Sequence, residues 1–501
     1  MKLGRLIKGF LKYDLNGDPE LEIKGLSYDS RRITPGYLFV AIKGHNQNGH
    51  DYVQDAIKNG AVALIAEDFK GPLGDISKIK VPDSREALSR LATRFYENPC
   101  RTMDIIGITG TNGKTTTSYL LESMISATGA RPGVIGTINY RFSGKTVPAQ
   151  VTTPESLDLM RLMREMADEG VTHVVMEVSS HALDQRRTLG CPFRAAIFTN
   201  FSRDHLDYHN TMEEYFQAKS LLFRGLKKGG PDEKSVAIIN ADDPKGEELV
   251  ALTRADVVTY GLGLKSQVKA DFISLDKTGL RARLVTPKGK REIQSSLLGR
   301  INIYNILAAT ATAISLDMDL DAVVEGIERL KVIPGRLELV QNRRGLTVVV
   351  DYAHTPDALQ KALETLGPLT EGRLITVFGC GGDRDKGKRD KMGLVAGQQS
   401  DIAFITSDNP RTEDPESIVA QIEKGVQQSG MTKEKWTNGA EVAGPGYCIE
   451  VDRRRAIQKA IAIADEKDLV LIAGKGHEDY QIIGTEKRHF DDRKEVALAT
   501  N

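Results

Sequence analysis

Apolar and polar residues alternate along this chain with two distinct periods. The run Ile105, Ile106, Gly107, Ile108 is continuous and apolar, as in a strand buried on both faces, whereas Leu120, Leu121, Met124 and Ile125 recur at helical spacing within Thr116 to Ser126. The same alternation continues through the apolar runs Val174 to Val178, Ala195 to Phe198 and Val236 to Ile239, with the helical pattern Leu157 to Ala167 between them. Strand–helix–strand alternation predicts a mostly parallel sheet. Asp271 to Ile293 instead reads as short alternating strands around a Thr278-Gly279 turn, an antiparallel addition. Upstream, Leu88, Leu91, Ala92 and Phe95 form a helical stripe introduced by Asp83 and Glu86 at capping-box spacing and ended by Asn98-Pro99. Downstream of Pro334-Gly335 come four more strand-like runs, Thr347 to Val350, Leu374 to Phe378, Ile402 to Thr406 and Leu469 to Ala473. The expected architecture is therefore α/β in three domains: a smaller N-terminal α/β domain over 1–98, a central domain over 99–333 and a C-terminal Rossmann-like domain over 334–501. The length of 501 residues fits about three cores.

Chemistry enters where the strands end. Gly110-Thr111-Asn112-Gly113-Lys114-Thr115-Thr116 joins a strand end to a helix start, where unpaired N–H groups and the helix dipole attract phosphate. Lys114 is placed to neutralise β/γ oxygens and Thr115 to ligate Mg²⁺. Ile108 stands where the first glycine of the general pattern belongs, so the loop is a contracted form. Glu177 closes a neighbouring strand, and a carboxylate beside a phosphate loop is a natural Mg²⁺ ligand. Asn200 to His209 gathers two histidines and two aspartates, which suits either a solvated turn or a metal site. Lys219 lies among Tyr215, Phe216, Leu221, Leu222 and Phe223. It is either a snorkelling surface lysine or a desolvated, nucleophilic amine open to carbamylation by CO₂. Each of the four C-terminal strands runs into a polar segment, at Asp351 to His354, Gly379 to Arg384, Ser407 to Arg411 and Gly474 to Glu478. Ligands of open α/β sheets sit at such ends.

Bulk properties narrow the class further. Sixty-eight basic residues balance 68 acidic ones, which gives no field for nucleic acid or membrane. The four cysteines have no metal or redox spacing. Lys8, Lys12 and Asp14 interrupt any signal-peptide core, and no apolar stretch approaches the roughly 20 residues of a membrane span. A cytoplasmic location is expected. Met431 to Gly446 is polar, contains glycine and suggests no role.

Taken together, GTNGKTT, Thr152-Thr153-Pro154, Glu177-Val178-Ser179-Ser180-His181, Asp204 to His209, Ala218-Lys219, Gly299-Arg300 with Asn302 and Asn305, Pro334-Gly335-Arg336 and Asp351-Tyr352-Ala353-His354 resemble the Mur ligases in order and spacing over nearly the whole chain. Asp29 to Arg32 with Pro35 to Phe39 resembles the uridine-diphosphate domain of the members that add the third peptide residue of peptidoglycan precursors. The resemblance implies an ATP-dependent amide ligase working through an acyl phosphate. Thr115 and Glu177 would hold one Mg²⁺; Glu177, His205 and a carbamylated Lys219 would hold a second. Gly110 to Thr116, Asn305, Arg336 and Asp351 would contact ATP. Lys114, Glu177, His205, Lys219 and Arg336 would form the catalytic set. Ser30, Thr152, Thr153, Ser179, Gln185 and Arg187 would hold UDP-N-acetylmuramoyl-L-alanyl-D-glutamate.

Asp408-Asn409-Pro410-Arg411 resembles the motif of members that add meso-2,6-diaminopimelate rather than lysine, with Arg384, Gly474 and Glu478 nearby. Diaminopimelate carries one distal carboxylate more than lysine, which a guanidinium binds bidentately. A monomer is expected. The competing readings are a lysine-adding ligase, a folylpolyglutamate synthase-like ligase sharing the contracted loop, and an inactive nucleotide-binding regulator.

Overall fold

A computed structural model describes residues 1–10, 12–44, 47–227, 235–434 and 444–500. Its three main sheets follow one another along the chain. The first has the spatial order Asp14–Asn16, Ser77–Lys80, Ala61–Ala66, Tyr37–Val40, Gly25–Ser27. All neighbours are parallel except the first pair. None of these short strands shows a period in the sequence; the helix that follows them, Ser84–Phe95, does. That helix starts as its capping residues dictate, with Asp83 Oδ1 accepting from the Glu86 N–H at 2.9 Å. The Glu86 carboxylate does not return to the cap; it pairs with Arg90 and Arg186 instead.

The second sheet carries the phosphate loop. Its order is Asp256–Tyr260, Val236–Asn240, Phe193–Phe198, Asp104–Thr109, His173–Glu177, Pro132–Ile135, Asn139–Phe142, Lys145–Pro148. The first six strands are parallel and the last two form an antiparallel edge. Strand Asp104–Thr109 is central, and its side chains divide between two cores: Ile105 joins one, Ile106 and Ile108 the other. Burial on both faces is why that strand reads as an unbroken apolar run. The antiparallel segment expected over 271–293 is a separate three-stranded sheet, Lys269–Asp276, Gly279–Thr286, Gly289–Ser295. It buries Leu280, Leu284 and Ile293 in the second of those cores.

The third sheet has the order Glu338–Leu339, Thr347–Asp351, Leu469–Ala473, Leu374–Phe378, Ile402–Ile405, Gly446–Ile449. The four anticipated strands are mutually parallel and adjacent, so their polar ends share one edge. Two neighbours were not anticipated, the antiparallel Glu338–Leu339 and the parallel edge strand Gly446–Ile449. Within the stretch 431–446, residues 435–443 lie outside the described residues. Among the described residues, no helix is long and apolar enough to cross a membrane.

Candidate active site

The phosphate loop leaves the central strand at Thr109 and enters helix Lys114–Ala127. Two glycines set its path. Gly110 has φ 143°, and a β-carbon there would stand 1.9 Å from Thr199 Oγ1; Gly113 has φ 86°, with Asn305 Oδ1 at 2.4 Å from the same hypothetical atom. Any side chain would therefore push the loop away from the walls that hold it. The Thr199 hydroxyl donates to Asn112 O at 2.6 Å, fixing the loop from the neighbouring strand end.

Two lysines converge on this loop. Lys114 Nζ donates to Gly110 O at 2.9 Å and Thr111 O at 2.8 Å, while Lys219 Nζ donates to the same Gly110 O at 2.9 Å. Lys219 is 1% exposed and lies 4.4 Å over the Tyr215 ring, so the snorkelling alternative is excluded. Burial, reinforced by Lys114, pushes its amine well below the usual lysine range; burial likewise lowers Lys114.

The hard-oxygen donors lie beside them. Thr115 Oγ1 donates to Glu177 Oε2 at 3.0 Å, and the Glu177 carboxylate also accepts from the Thr137 hydroxyl at 2.9 Å and the Thr137 N–H at 3.0 Å. A hydroxyl beside a carboxylate fits a cation that takes its remaining ligands from phosphate and water. His205, at φ 53°, faces this group from the Asn200–His209 loop, its ring 3.6 Å from Asp204 and 5.0 Å from the His181 ring; partial desolvation at the cavity wall, reinforced by Lys114 and Lys219, lowers its pKa from that of a free histidine.

A cavity of about 630 Å³ joins Lys114, Thr115, Glu177, His205 and Lys219 to Asn305, Arg336 and Asp351. Arg336 Nη2 donates to Thr115 Oγ1 at 3.3 Å, and its guanidinium lies 4.7 Å over the Tyr352 ring. Asp351 accepts from the Leu337 N–H at 2.7 Å and the Ala353 N–H at 2.8 Å, and burial raises its pKa. Thr152, Thr153, Ser179 and Arg187 line the same cavity. Arg187 donates to Thr153 O at 2.8 Å and to Gln185 Oε1 at 2.7 Å, which positions Gln185 behind them. Ser30 does not join this group. It is buried in the first domain, in the turn Ser30–Arg32 capped by Asp29.

The residues expected to choose the amino acid form a cluster of their own, and of these only Arg384 also lines the cavity. Arg384 and Arg411 flank Gly381: a β-carbon there would stand 3.9 Å from Arg384 Cγ and 2.9 Å from Arg411 Nη1. Arg411 sits at φ 52°, and its guanidinium donates to Gly382 O at 2.7 Å, with no carboxylate in salt-bridge contact among the described residues. Asp408 and Asn409 are buried, Pro410 lies between Asn409 and Arg411, and Glu478 Oε2 accepts from Asn409 Nδ2 at 2.9 Å. Gly474 follows strand Leu469–Ala473, with its hypothetical β-carbon 3.5 Å from Asp408 Oδ2.

Several residues of the site escaped the sequence argument. Lys475 is wholly buried between Asp408 (3.2 Å) and Glu478 (3.7 Å). Its position between two glycines at a strand end was the available signal. Arg453 is buried against Asp492, and nothing local to the helix it starts marks it. Asp357 Oδ2 accepts from Asn112 Nδ2 at 3.0 Å and from the Ser202 hydroxyl at 2.8 Å, tying the phosphate loop to the third domain; sequence separation hid that contact.

The fold and site define a multidomain α/β protein built around a phosphate-binding loop, with a second polar cluster at the strand ends of its last domain. Three family descriptions match in order: the Mur ligase family catalytic domain over 22–96, the Mur ligase middle domain over 108–313 and the Mur ligase glutamate ligase domain over 335–476. The UDP-N-acetylmuramoyl-L-alanyl-D-glutamate–2,6-diaminopimelate ligase of Geobacter metallireducens is 48% identical, over 100% of this chain and 98% of that protein. The ligase of the same name from Geobacillus thermodenitrificans is 43% identical, over 98% of each. A solved structure of a ligase of that name superposes with TM-score 0.69 at 33% identity, over 100% of this chain and 98% of that one. Mycobacterium tuberculosis folylpolyglutamate synthase, solved with ADP and AMPPCP, shares the fold at TM-score 0.62 and 20% identity over 77% of this chain and 92% of that one. The chain belongs to the Mur ligase family.

Proposed function

We propose that this ligase uses ATP to join meso-2,6-diaminopimelate to UDP-N-acetylmuramoyl-L-alanyl-D-glutamate in the cytoplasmic synthesis of peptidoglycan precursors. The observation that carries the reading is the single cavity in which the phosphate loop, Glu177, His205, Lys219 and Arg336 face Thr152, Thr153, Ser179 and Arg187. On this reading triphosphate chemistry and a carboxylate-bearing substrate share one enclosure. The names of the full-length relatives support the choice of substrates. The three successive sheets support a division at 1–98, 99–333 and 334–501, and the ligase is taken to act as a monomer.

In this mechanism the D-glutamate γ-carboxylate attacks the γ-phosphorus of ATP, releasing ADP and forming an acyl phosphate. Lys114 leaves its loop carbonyls to neutralise the transferring phosphoryl oxygens, and Arg336 approaches from the third domain. Thr115 and Glu177 would hold one Mg²⁺ and Glu177, His205 and a carbamylated Lys219 a second, and these ions would supply further charge neutralisation. Carbamylation is supported by the depressed pKa and complete burial of Lys219, since the neutral amine is the form that adds to CO₂. The neutral amine of diaminopimelate then attacks the acyl carbon, and collapse of the tetrahedral adduct expels phosphate. Asp351 would receive the ribose. Ser30, Gln185 and Arg187 would hold the uridine substrate. Arg384, Asp408, Asn409, Arg411, Gly474 and Glu478 would select the amino acid.

The deciding experiment measures ADP release with and without the uridine dipeptide, using diaminopimelate, lysine or neither. Release that needs both the uridine dipeptide and diaminopimelate supports the proposal. Equal use of lysine would overturn the amino-acid assignment, and release that ignores the uridine substrate would overturn the ligase assignment.

A further inference from the structure

Beneath the amino-acid cluster lies a second layer that none of these roles uses. Lys475 Nζ, fully buried, stands 3.2 Å from Asp408 Oδ1 and 3.7 Å from Glu478 Oε2 and donates to Asn409 Oδ1 at 3.0 Å. Arg453, also fully buried, grips Asp492 with two bonds, Nε to Oδ1 at 2.8 Å and Nη2 to Oδ2 at 2.7 Å, and Nη2 donates to Ala473 O at 3.0 Å. Its remaining nitrogen, Nη1, is buried without a hydrogen-bond partner among the described residues and lies 4.0 Å from where a Gly474 β-carbon would be. Two cations thus stand against three carboxylates, Asp408, Glu478 and Asp492. Lys475 bridges Asp408 and Glu478, which face each other across it.

We propose that Lys475 and Arg453 are positioning residues of the amino-acid site: they hold Asp408 and Glu478 aimed and charged so that the cluster receives an ammonium group of the incoming diamino acid. This rests on the assignment of the cluster to that substrate. A buried carboxylate pair cannot stay doubly ionised unaided, because desolvation and mutual repulsion both favour a proton on one member. Here burial would raise Asp408, yet Lys475 and Arg453 bring it below the usual aspartate range, while burial and Asp408 raise Glu478. The other charged and titratable groups facing the pair among the described residues include Arg411, His354, Tyr352, Tyr480 and the buried Cys380 thiol, which burial keeps protonated. His354 titrates near 4, so it carries no charge at neutral pH. The substrate's carboxylate has separate partners in Arg384 and Arg411, whose guanidiniums rest on the Asp383 and Gly382 carbonyls. One layer thus reads the ammonium and the other the carboxylate.

The test is Lys475→Met. Without the cation, desolvation and mutual repulsion favour a proton on one member of the Asp408–Glu478 pair, which raising the pH would remove. The Michaelis constant for diaminopimelate should rise at least about 10-fold at pH 7, with that for ATP little changed. The ratio of variant to wild-type kcat/KM for diaminopimelate should climb as pH goes from 6 to 9. Asp408→Asn combined with Lys475→Met should abolish that pH dependence and cost less than the sum of the two single changes. Lys475→Gln, which keeps a donor for Asn409, carries the same test should Lys475→Met not fold. A flat ratio across pH, or equal losses for ATP and diaminopimelate, would overturn the proposal. If the wild-type enzyme turned over no diaminopimelate, it is the underlying site assignment that would fail.

Discussion

The phosphate loop and the strand-end cluster of the last domain both bury cations, but they hold them differently. At the loop, Lys114 and Lys219 rest on the backbone carbonyl of Gly110, and among the described residues no carboxylate neutralises either at hydrogen-bond distance. In the cluster, Lys475 and Arg453 are matched to Asp408, Glu478 and Asp492. A carbonyl is a weak partner that a phosphate or a carboxylate replaces easily, whereas a buried carboxylate fixes the cation for good. On the proposed mechanism, the first device suits cations that await an anionic substrate and the second suits cations that shape a site for others. Arg384 and Arg411, lying on carbonyls, belong with the loop lysines.

The largest effect that would break this contrast is at Lys114. Lys114→Ala should lower turnover by about 10³-fold or more by steady-state ADP release while the thermal unfolding midpoint stays near wild type. Near-normal turnover would show that the carbonyl-held lysine awaits no phosphate. Next, Lys219→Ala should lose about 10²-fold, with partial recovery in acetate, because a small carboxylate fills the place of the carbamate. A fully active variant would remove Lys219 from the mechanism.

Arg411→Ala should raise the Michaelis constant for diaminopimelate by about 10-fold to 100-fold with little change for ATP, and should erode the preference over lysine. A loss confined to ATP would place Arg411 with the nucleotide instead. The smallest expected effect is at the interdomain tie. Asp357→Asn removes the charge that Asn112, Ser202 and Lys361 share. It should weaken binding of a non-hydrolysable ATP analogue a few-fold by calorimetry, since such a bond contributes about 1 kcal/mol. Unchanged binding would mean the tie orders the domains without touching the nucleotide.

The sequence by itself determined the central parallel sheet, the contracted loop, the Asp83 cap and the presence of four polar strand ends. Each is written in contiguous residues: an apolar run, a glycine pattern, a capping spacing, a turn after a strand. It left the first sheet unread, because strands of three to six residues such as Gly25–Ser27 are too short for a period to emerge. Lys219 was ambiguous in sequence because a lysine among apolar neighbours on a helix faces either solvent or core; packing turned it inward onto Gly110. Only the tertiary structure decided which charges meet. Lys475 and Asp408 are 67 positions apart, Arg453 and Asp492 39, and Asn112 and Asp357 245, and strand order in the last sheet brings the first pair together. Local propensity reports the backbone, whereas the electrostatics of a site depend on which strand ends become neighbours, and that follows from the packing of the whole sheet.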